Sequence, residues 1–380
     1  MRVESVEPIP LCHRLQDGRS FGGTRGMTQT RTTTLVKFIS DDGSVGWGEA
    51  FAPPKTVSTY IEEVFEDEVI GLEPCEAEAL ADRVYTGDIG GYHFARDGIV
   101  QAALTGVEVA LWDLRGKHVG KPVRDILGGT SRDAVTPYAS TMYITEWDQD
   151  PAEPMIAAAE EGFDAAKIKI GRSVEDDLHR VKTAREKLGS EADLMVDYNG
   201  NYTPTQAIRS INEIEPYDIT WVEEPVPPEN YDGYQRIKNA VDIPLAAGEA
   251  HFGRFEFTRL IQDGVVDIVQ PNLGRCGGFS EARYIARTAT TQNVTVRPHV
   301  WNSGVGVAAA LQFFATVPMY PHASGASPPA LFEFDRSENP LRDEVLVNAF
   351  DPTGGCLAVP DEPGLGIEVD ETAVDRYRMD

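Results

Sequence analysis

Three carboxylates and two amines carry the chemical signal in this chain. Asp197, Glu223 and Glu249 recur at an even interval, 26 residues from the first to the second and 26 from the second to the third. That is about the length of one strand plus one helix with its loops. Each acid closes a short phrase, Leu194-Met195-Val196-Asp197, Thr220-Trp221-Val222-Glu223 and Ala247-Gly248-Glu249, so each is expected at the C-terminal end of a strand. Upstream, Ala166-Lys167-Ile168-Lys169-Ile170 alternates as a strand does, which puts both lysines on one face.

If those strands are successive and parallel in one barrel, the acids meet at one mouth, where their repulsion is costly unless a cation lies between them. Mg2+ suits such a set: it takes hard oxygen ligands, needs few protein carboxylates and keeps positions for water and substrate. A lysine beside another lysine or a metal is harder to protonate. The pKa of the working lysine is therefore expected to fall toward the range of a general base. Any one acid after a strand reads more simply as a helix N-cap or a solvated loop end. Three at equal spacing behind a Lys-x-Lys strand favour a site.

The elements that must position these residues follow a repeat. From Ala134 onward, strand candidates at 135–140, 165–170, 194–197, 220–223, 245–249, 266–270, 295–299 and 330–334 alternate with helical stretches. One helix opens at Thr203-Pro204-Thr205-Gln206, with proline at its first position and glutamine where a capping box needs it. This is an α/β chain whose eight strands predict a (β/α)8, TIM-like barrel over 126–340. Residues 1–125 read as an α+β segment. Strands flank a hairpin turn at Asp41-Asp42-Gly43, and Ser20 to Met27 is glycine-rich, aperiodic and a candidate mobile loop. Val100, Ala103, Leu104, Val107, Leu111 and Leu114 form a helical stripe that should bury one side and end near Gly116. The tail, 341–380, is turn-rich and expected to return to the N-terminal part.

Composition narrows the partners. The chain has 380 residues, 41% of them hydrophobic, with net charge −27 and nine lysines among 34 basic residues. Nucleic acid and anionic membrane are disfavoured, and the scattered acids suit a solvated surface in a high-salt cytoplasm. With no long apolar run and no apolar leader after Met1, a soluble cytoplasmic protein is expected. Cys12, Cys75, Cys276 and Cys356 are too far apart in sequence for a zinc motif or a disulfide framework.

The order of motifs resembles the mandelate racemase branch of the enolase superfamily, within the mandelate racemase/muconate lactonizing enzyme family. Nearly the whole chain takes part: Asp42 to Glu49, Ala110 to Lys117, Lys167-Ile168-Lys169, Asp197-Tyr198-Asn199, Glu223-Glu224-Pro225, Gly248-Glu249, Gln270-Pro271-Asn272, Cys276-Gly277-Gly278, Pro298-His299 and Leu331-Phe332-Glu333. Pro298 to Gly304, Glu333 to Arg336 and Pro363 to Glu368 look most like acid-sugar dehydratases and the related galactarolactone cycloisomerases. The resemblance implies an N-terminal capping domain completed by the tail, a homo-oligomer such as a dimer or octamer, and a small-molecule carboxylate substrate, a sugar acid or its lactone. It further implies abstraction of the proton beside that carboxylate, with Mg2+ on Asp197, Glu223 and Glu249 holding the charge that develops.

In that reading Lys169 is the base, while Lys167 depresses its pKa and contacts the substrate carboxylate. His299, ending the seventh strand, faces the substrate from the other side. Glu333, after the eighth, donates a hydrogen bond to the substrate carboxylate. Asn199, Glu224, Tyr143 and Trp301 are substrate or supporting residues. Asn272 departs from the family, which usually has an aspartate there. An amide orients the imidazole without stabilising imidazolium, so His299 should be a weaker base and a readier proton donor. Arg275 stands where lactonizing relatives carry a base lysine, and a guanidinium does not deprotonate.

Dehydration of a sugar acid to a 2-keto-3-deoxy product leads as a hydro-lyase reading, followed by aldarolactone cycloisomerisation and by racemisation or epimerisation. A non-catalytic sugar-acid binder is the remaining alternative. Gly274 to Gly278 lacks the Lys-Ser/Thr of a phosphate loop and reads as a βα turn.

Overall fold

Five strands open the chain: β1 (Val3–Arg14), β2 (Phe21–Gly23), β3 (Gly26–Thr28), β4 (Thr30–Ser40) and β5 (Val45–Ala50). In this computed structural model, residues 1–93, 96–129, 132–147, 149–318, 329–352 and 354–380 are described. β1, β4 and β5 form an antiparallel sheet, and Asp41-Asp42-Gly43 closes the β4–β5 hairpin as expected, with Gly43 at φ 82°.

The helix expected from the apolar stripe runs further, Gly98–Val119, and stops at Gly120, which takes the left-handed cap at φ 66°. It is also enclosed rather than one-sided. Every residue from Gln101 to Leu114 is buried, because β4 and β5 cover one side and helix Gly278–Thr291 packs on another. A Cβ on Gly48 would lie 2.0 Å from the Gly106 carbonyl oxygen, so glycine lets this helix sit directly on β5.

The second half supplies β6 (Ala134–Thr141), β7 (Ile144–Thr145), β8 (Ala165–Lys169), β9 (Asp193–Asp197), β10 (Ile219–Glu223), β11 (Leu245–Ala247), β12 (Ile268–Val269), β13 (Thr295–Val296), β14 (Leu331–Asp335) and β15 (Leu357–Ala358). Eight of them pair in parallel in the order β13-β12-β11-β10-β9-β8-β6-β14, the (β/α)8 barrel, and β15 joins β6 antiparallel. Across the β13–β14 side, the Val300 N–H donates to Glu333 Oε2 at 2.9 Å and Arg297 reaches the Pro329 carbonyl at 3.1 Å. Register places Lys169 opposite Asp197, and Asp197 opposite Glu223. Side chains one pleat lower, Tyr138, Met195, Trp221 and Leu331, form a buried apolar layer. The barrel is thus plugged with hydrocarbon below and lined with charge above. Thr203 and Gln206 make the expected capping box on helix Pro204–Ile214.

Ser20 to Met27 is not an aperiodic loop. β2 and β3 form a hairpin whose other edge pairs with β7. The glycines serve close approach: a Cβ on Gly22 would lie 2.1 Å from the Gly26 oxygen, and one on Gly23 would lie 2.1 Å from Asn199 Oδ1. At the far end of the chain, the Met379 N–H donates to the Pro10 carbonyl at 2.9 Å and Lys37 pairs with Glu371 at 2.7 Å. No helix among the described residues is long and apolar enough to cross a membrane.

Candidate active site

Asp197 ends β9 and Glu223 ends β10, as their phrases predict, whereas Glu249 lies two residues past the short β11. Side-chain oxygens of all three nevertheless come within 4.8 Å of one another. Lys167 Nζ sits between Glu223 Oε1 at 2.7 Å and Glu333 Oε1 at 2.8 Å, and Lys169 Nζ bonds Asp197 Oδ2. Gln270 Nε2 donates to Glu223 Oε2 at 2.7 Å, a contact not expected from sequence although Gln270 opens the Gln270-Pro271-Asn272 motif.

The charges do not balance. Asp197, Glu223, Glu224, Glu249 and Glu333 face Lys167, Lys169 and the more distant Arg275. Burial pushes Glu223 up to about 8 against the pull of Lys167, with Asp197, Glu333 and Glu249 adding to the rise. Burial also drives Glu224 well above the carboxylate range, helped by Glu249 and Asp197. The buried Glu224 Oε1 and Asn199 Oδ1 have no partner among the described residues, and both residues hold positive φ, 40° and 47°. Such strain and unmet acceptors are characteristic of functional sites. A cluster of hard oxygens with uncompensated negative charge fits a divalent cation of the Mg2+ type.

The expected depression of the lysine pKa is not what this arrangement produces. Burial works to lower Lys169, but Asp197 and Glu249 hold it above the ordinary lysine value. Lys167 is likewise raised by Glu223 and Glu333 against burial. The nearest charges are carboxylates on nearby strands of the same barrel, and they outweigh the neighbouring amine. Lys167 is buried and does not line the cavity, whereas Lys169 does.

Two further positions are corrected. His299 lies three residues beyond β13 rather than at its end, and Glu333 is the middle residue of β14 rather than following it. Although burial raises Glu333, Lys167 and His299 bring its pKa below the usual value. Val300 N–H and Lys167 both reach Glu333, which accepts from them here.

His299 Nε2 lies 3.1 Å from Glu249 Oε2, and Nδ1 lies 2.8 Å from Asn272 Nδ2. Burial lowers the imidazole pKa despite Glu249 and Glu333. Asn272 Oδ1 accepts the Gly274 N–H at 2.7 Å, and Asn272 Nδ2 also donates to Asn302 Oδ1 at 3.0 Å. Gly274 to Gly278 is a βα turn leading into helix Gly278–Thr291.

Above these groups is a cavity of about 370 Å³. Lys169, Glu249, His299 and Glu333 reach it from the barrel, Arg25 and Thr28 from the β2–β3 hairpin, and Phe51 from the N-terminal sheet. Tyr143 and Trp301 line it too: Trp301 Nε1 donates to Tyr143 Oη at 3.0 Å, which donates to Asp335 Oδ1 at 2.8 Å. Asp335 escapes the sequence reading, although it lies two residues from Glu333 and so shares its face of β14. Arg275 lines the cavity with a buried Nε that has no partner among the described residues.

An eight-stranded barrel bearing acids on three consecutive strands or strand exits, a Lys-x-Lys strand and a histidine on the far side defines an enolase-superfamily enzyme. Residues 152–373 match the enolase C-terminal domain-like family, and residues 18–128 match the mandelate racemase/muconate lactonizing enzyme N-terminal domain. The chain belongs to the mandelate racemase/muconate lactonizing enzyme family of that superfamily. It is 38% identical to D-galactarolactone cycloisomerase of Agrobacterium fabrum, over 100% of this chain and 99% of that one. Arabinonate dehydratase of Saccharolobus solfataricus is 28% identical, over 99% of each chain. The crystal structure of 3,6-anhydro-D-galactonate cycloisomerase from Zobellia galactanivorans superposes with a TM-score of 0.89, at 34% identity over 100% of both chains.

Proposed function

We propose that this enzyme uses Mg2+ and opens a sugar-acid lactone by removing the proton beside the free carboxylate and expelling the ring oxygen. The observation that carries the leaving group is the contact of Asn272 Nδ2 with His299 Nδ1 at 2.8 Å. A backbone N–H only donates, so Gly274 fixes the oxygen end of the Asn272 amide and turns its nitrogen to the imidazole. Nδ1 must then accept. His299 is a neutral imidazole with its proton on Nε2, a group that can hydrogen-bond to an oxygen but gives up its proton far less readily than imidazolium. Hydroxide leaves poorly without a proton. A lactone oxygen leaves as a carboxylate and needs none, which reverses the order of dehydration and cycloisomerisation read from sequence.

Asp197, Glu223 and Glu249 would hold the ion, and when bound it would offset the carboxylate charge now keeping the lysines protonated and stabilise negative charge developing on the substrate. Lys169, the lysine on the cavity wall, takes the α-proton. The electron pair forms a carbon–carbon double bond as the C–O bond breaks, and the ring oxygen departs with the other pair as carboxylate. Return of a proton to the adjacent carbon converts the enol to a 2-keto-3-deoxy acid. Arg275 keeps a positive charge at the wall, suited to a departing carboxylate. The D-galactarolactone cycloisomerase relative supports this reading; the 3,6-anhydro-D-galactonate cycloisomerase, whose substrate is a cyclic ether, supports expulsion of a ring oxygen but not a carboxylate leaving group, and the arabinonate dehydratase relative supports water loss after the same proton abstraction as the second.

A panel of aldarolactones and open-chain sugar acids, followed by NMR, tests the choice. Ring opening of a lactone at least tenfold faster than water loss from any open-chain acid is the expected outcome, and the opposite ranking contradicts it. Mg2+ should also stabilise the fold, by about 2.7 kcal/mol at a hundred times its Kd. Melting curves are expected to show that rise in wild type and to lose most of it in Glu223→Gln. A wild-type midpoint indifferent to Mg2+ contradicts the metal assignment.

A further inference from the structure

We propose that Glu49, in the N-terminal sheet, is a positioning residue that, together with the Gly274 N–H, sets which nitrogen of His299 carries the proton. Its effect on catalysis rests on the lactone-opening reading, whereas its effect on the imidazole does not. Glu49 Oε1 accepts from Asn302 Nδ2 at 3.0 Å, Asn302 Oδ1 accepts from Asn272 Nδ2 at 3.0 Å, and that same amide nitrogen meets His299 Nδ1 at 2.8 Å. Glu49, Asn302, Asn272 and His299 are all buried, so a mismatched pair of polar groups is costly.

The direction of this chain is set at both ends, by the Gly274 N–H on Asn272 and by Glu49 on Asn302. An asparagine amide can present either its oxygen or its nitrogen, so two in series transmit polarity without choosing it. Glu49 fixes the Asn302 end. Oε1 also receives Thr33 Oγ1 at 2.9 Å, while Oε2 receives Gly306 N–H at 2.9 Å, Ser303 N–H at 3.1 Å and the Ser303 hydroxyl. Surrounded by donors at the start of helix Gly304–Phe314, it acts only as an acceptor. Asn302 must therefore turn its nitrogen to Glu49 and its oxygen to Asn272, which directs the Asn272 nitrogen onward to His299. Gly274 N–H enforces the same orientation from the other side. The barrel imidazole is thus set partly by a carboxylate of the other domain.

Glu49→Gln keeps an oxygen for the helix N-terminus and turns an N–H toward Asn302. Donor then faces donor, Asn302 turns over, and Asn272 loses the acceptor that favours its present orientation. Adding Asn302→Asp supplies an acceptor both to the amide introduced at position 49 and to Asn272, and restores the original polarity. The test is imidazole nitrogen NMR on full-length protein labelled at histidine, with His299 assigned by its loss in His299→Asn, alongside kcat and KM. Wild type should show His299 with Nε2–H alone. Glu49→Gln should populate Nδ1–H and lower kcat about tenfold at unchanged KM, and Glu49→Gln/Asn302→Asp should return both toward wild type.

Should the single variant not fold, Asn302→Leu, which keeps Glu49 on the helix, is expected to give the same imidazole change. An Nε2–H signal unaltered in whichever of these folds overturns the proposal, as does a double variant that fails to recover it. Because the tautomer is read without substrate, an enzyme found to dehydrate open-chain acids would leave this test standing.

Discussion

Lys169→Ala is expected to lower kcat by about 10⁴-fold, the upper range for loss of a general base, while leaving the Mg2+-dependent rise in melting temperature. Lys169 is the amine on the cavity wall, and its partner Asp197 can turn to a metal ion once the lysine is gone. Loss of deuterium from the α-carbon of labelled substrate, followed by NMR, separates proton abstraction from later steps: it should stop in Lys169→Ala. Lys167→Ala should differ in kind, because removing an enclosed ammonium leaves Glu223 and Glu333 without their shared cation. A Lys169→Ala enzyme retaining a tenth of wild-type turnover would exclude this lysine as the base.

Asn272→Asp carries the second largest expectation, about 10²-fold slower lactone opening together with a new exchange activity. A carboxylate at this position can still accept the Gly274 N–H, but toward His299 it can only accept. Nδ1 must then carry a proton, and Nε2 either loses its own and becomes a base or keeps it as imidazolium. A base on the face opposite Lys169 permits removal and return of the α-proton from that side. In deuterated water the variant should therefore place deuterium in both epimers of recovered substrate, where wild type does not. Unchanged turnover with no added exchange would show that the amide has no bearing on the choice between elimination and epimerisation.

What the sequence makes legible is what the barrel repeats. Asp197 and Glu223 are found from spacing because a parallel strand–helix unit fixes both the interval and the end of the strand at which a residue emerges. Lys167 and Lys169 are found because alternate residues share a face. Glu249 and His299 are less secure because their strands are short, and the loops beyond them take their path from tertiary contacts. Gly248, at φ 150° and with its would-be Cβ 2.6 Å from the Gln270 nitrogen, is one such contact.

Glycines at 22 and 23 read as mobility because the sequence does not reveal the Gly26 carbonyl and Asn199 pressed against them. The direction of the lysine pKa escapes sequence reading for a related reason: Lys167 is two residues from Lys169, but the carboxylates that dominate Lys169 lie 28 and 80 positions further along the chain. The polarity of Asn272 rests on Gly274 N–H, Asn302 and Glu49, and the last belongs to a different domain.

The most direct measurement is to run the lactone reaction in water enriched in oxygen-18 and to analyse the product by mass spectrometry after fragmentation. Direct expulsion of the ring oxygen breaks its bond to the sugar carbon, so the carboxylate released keeps both of its original oxygens and carries no label. One label in that carboxylate for each turnover would mean that water opens the ring first, and the proposed elimination would be wrong.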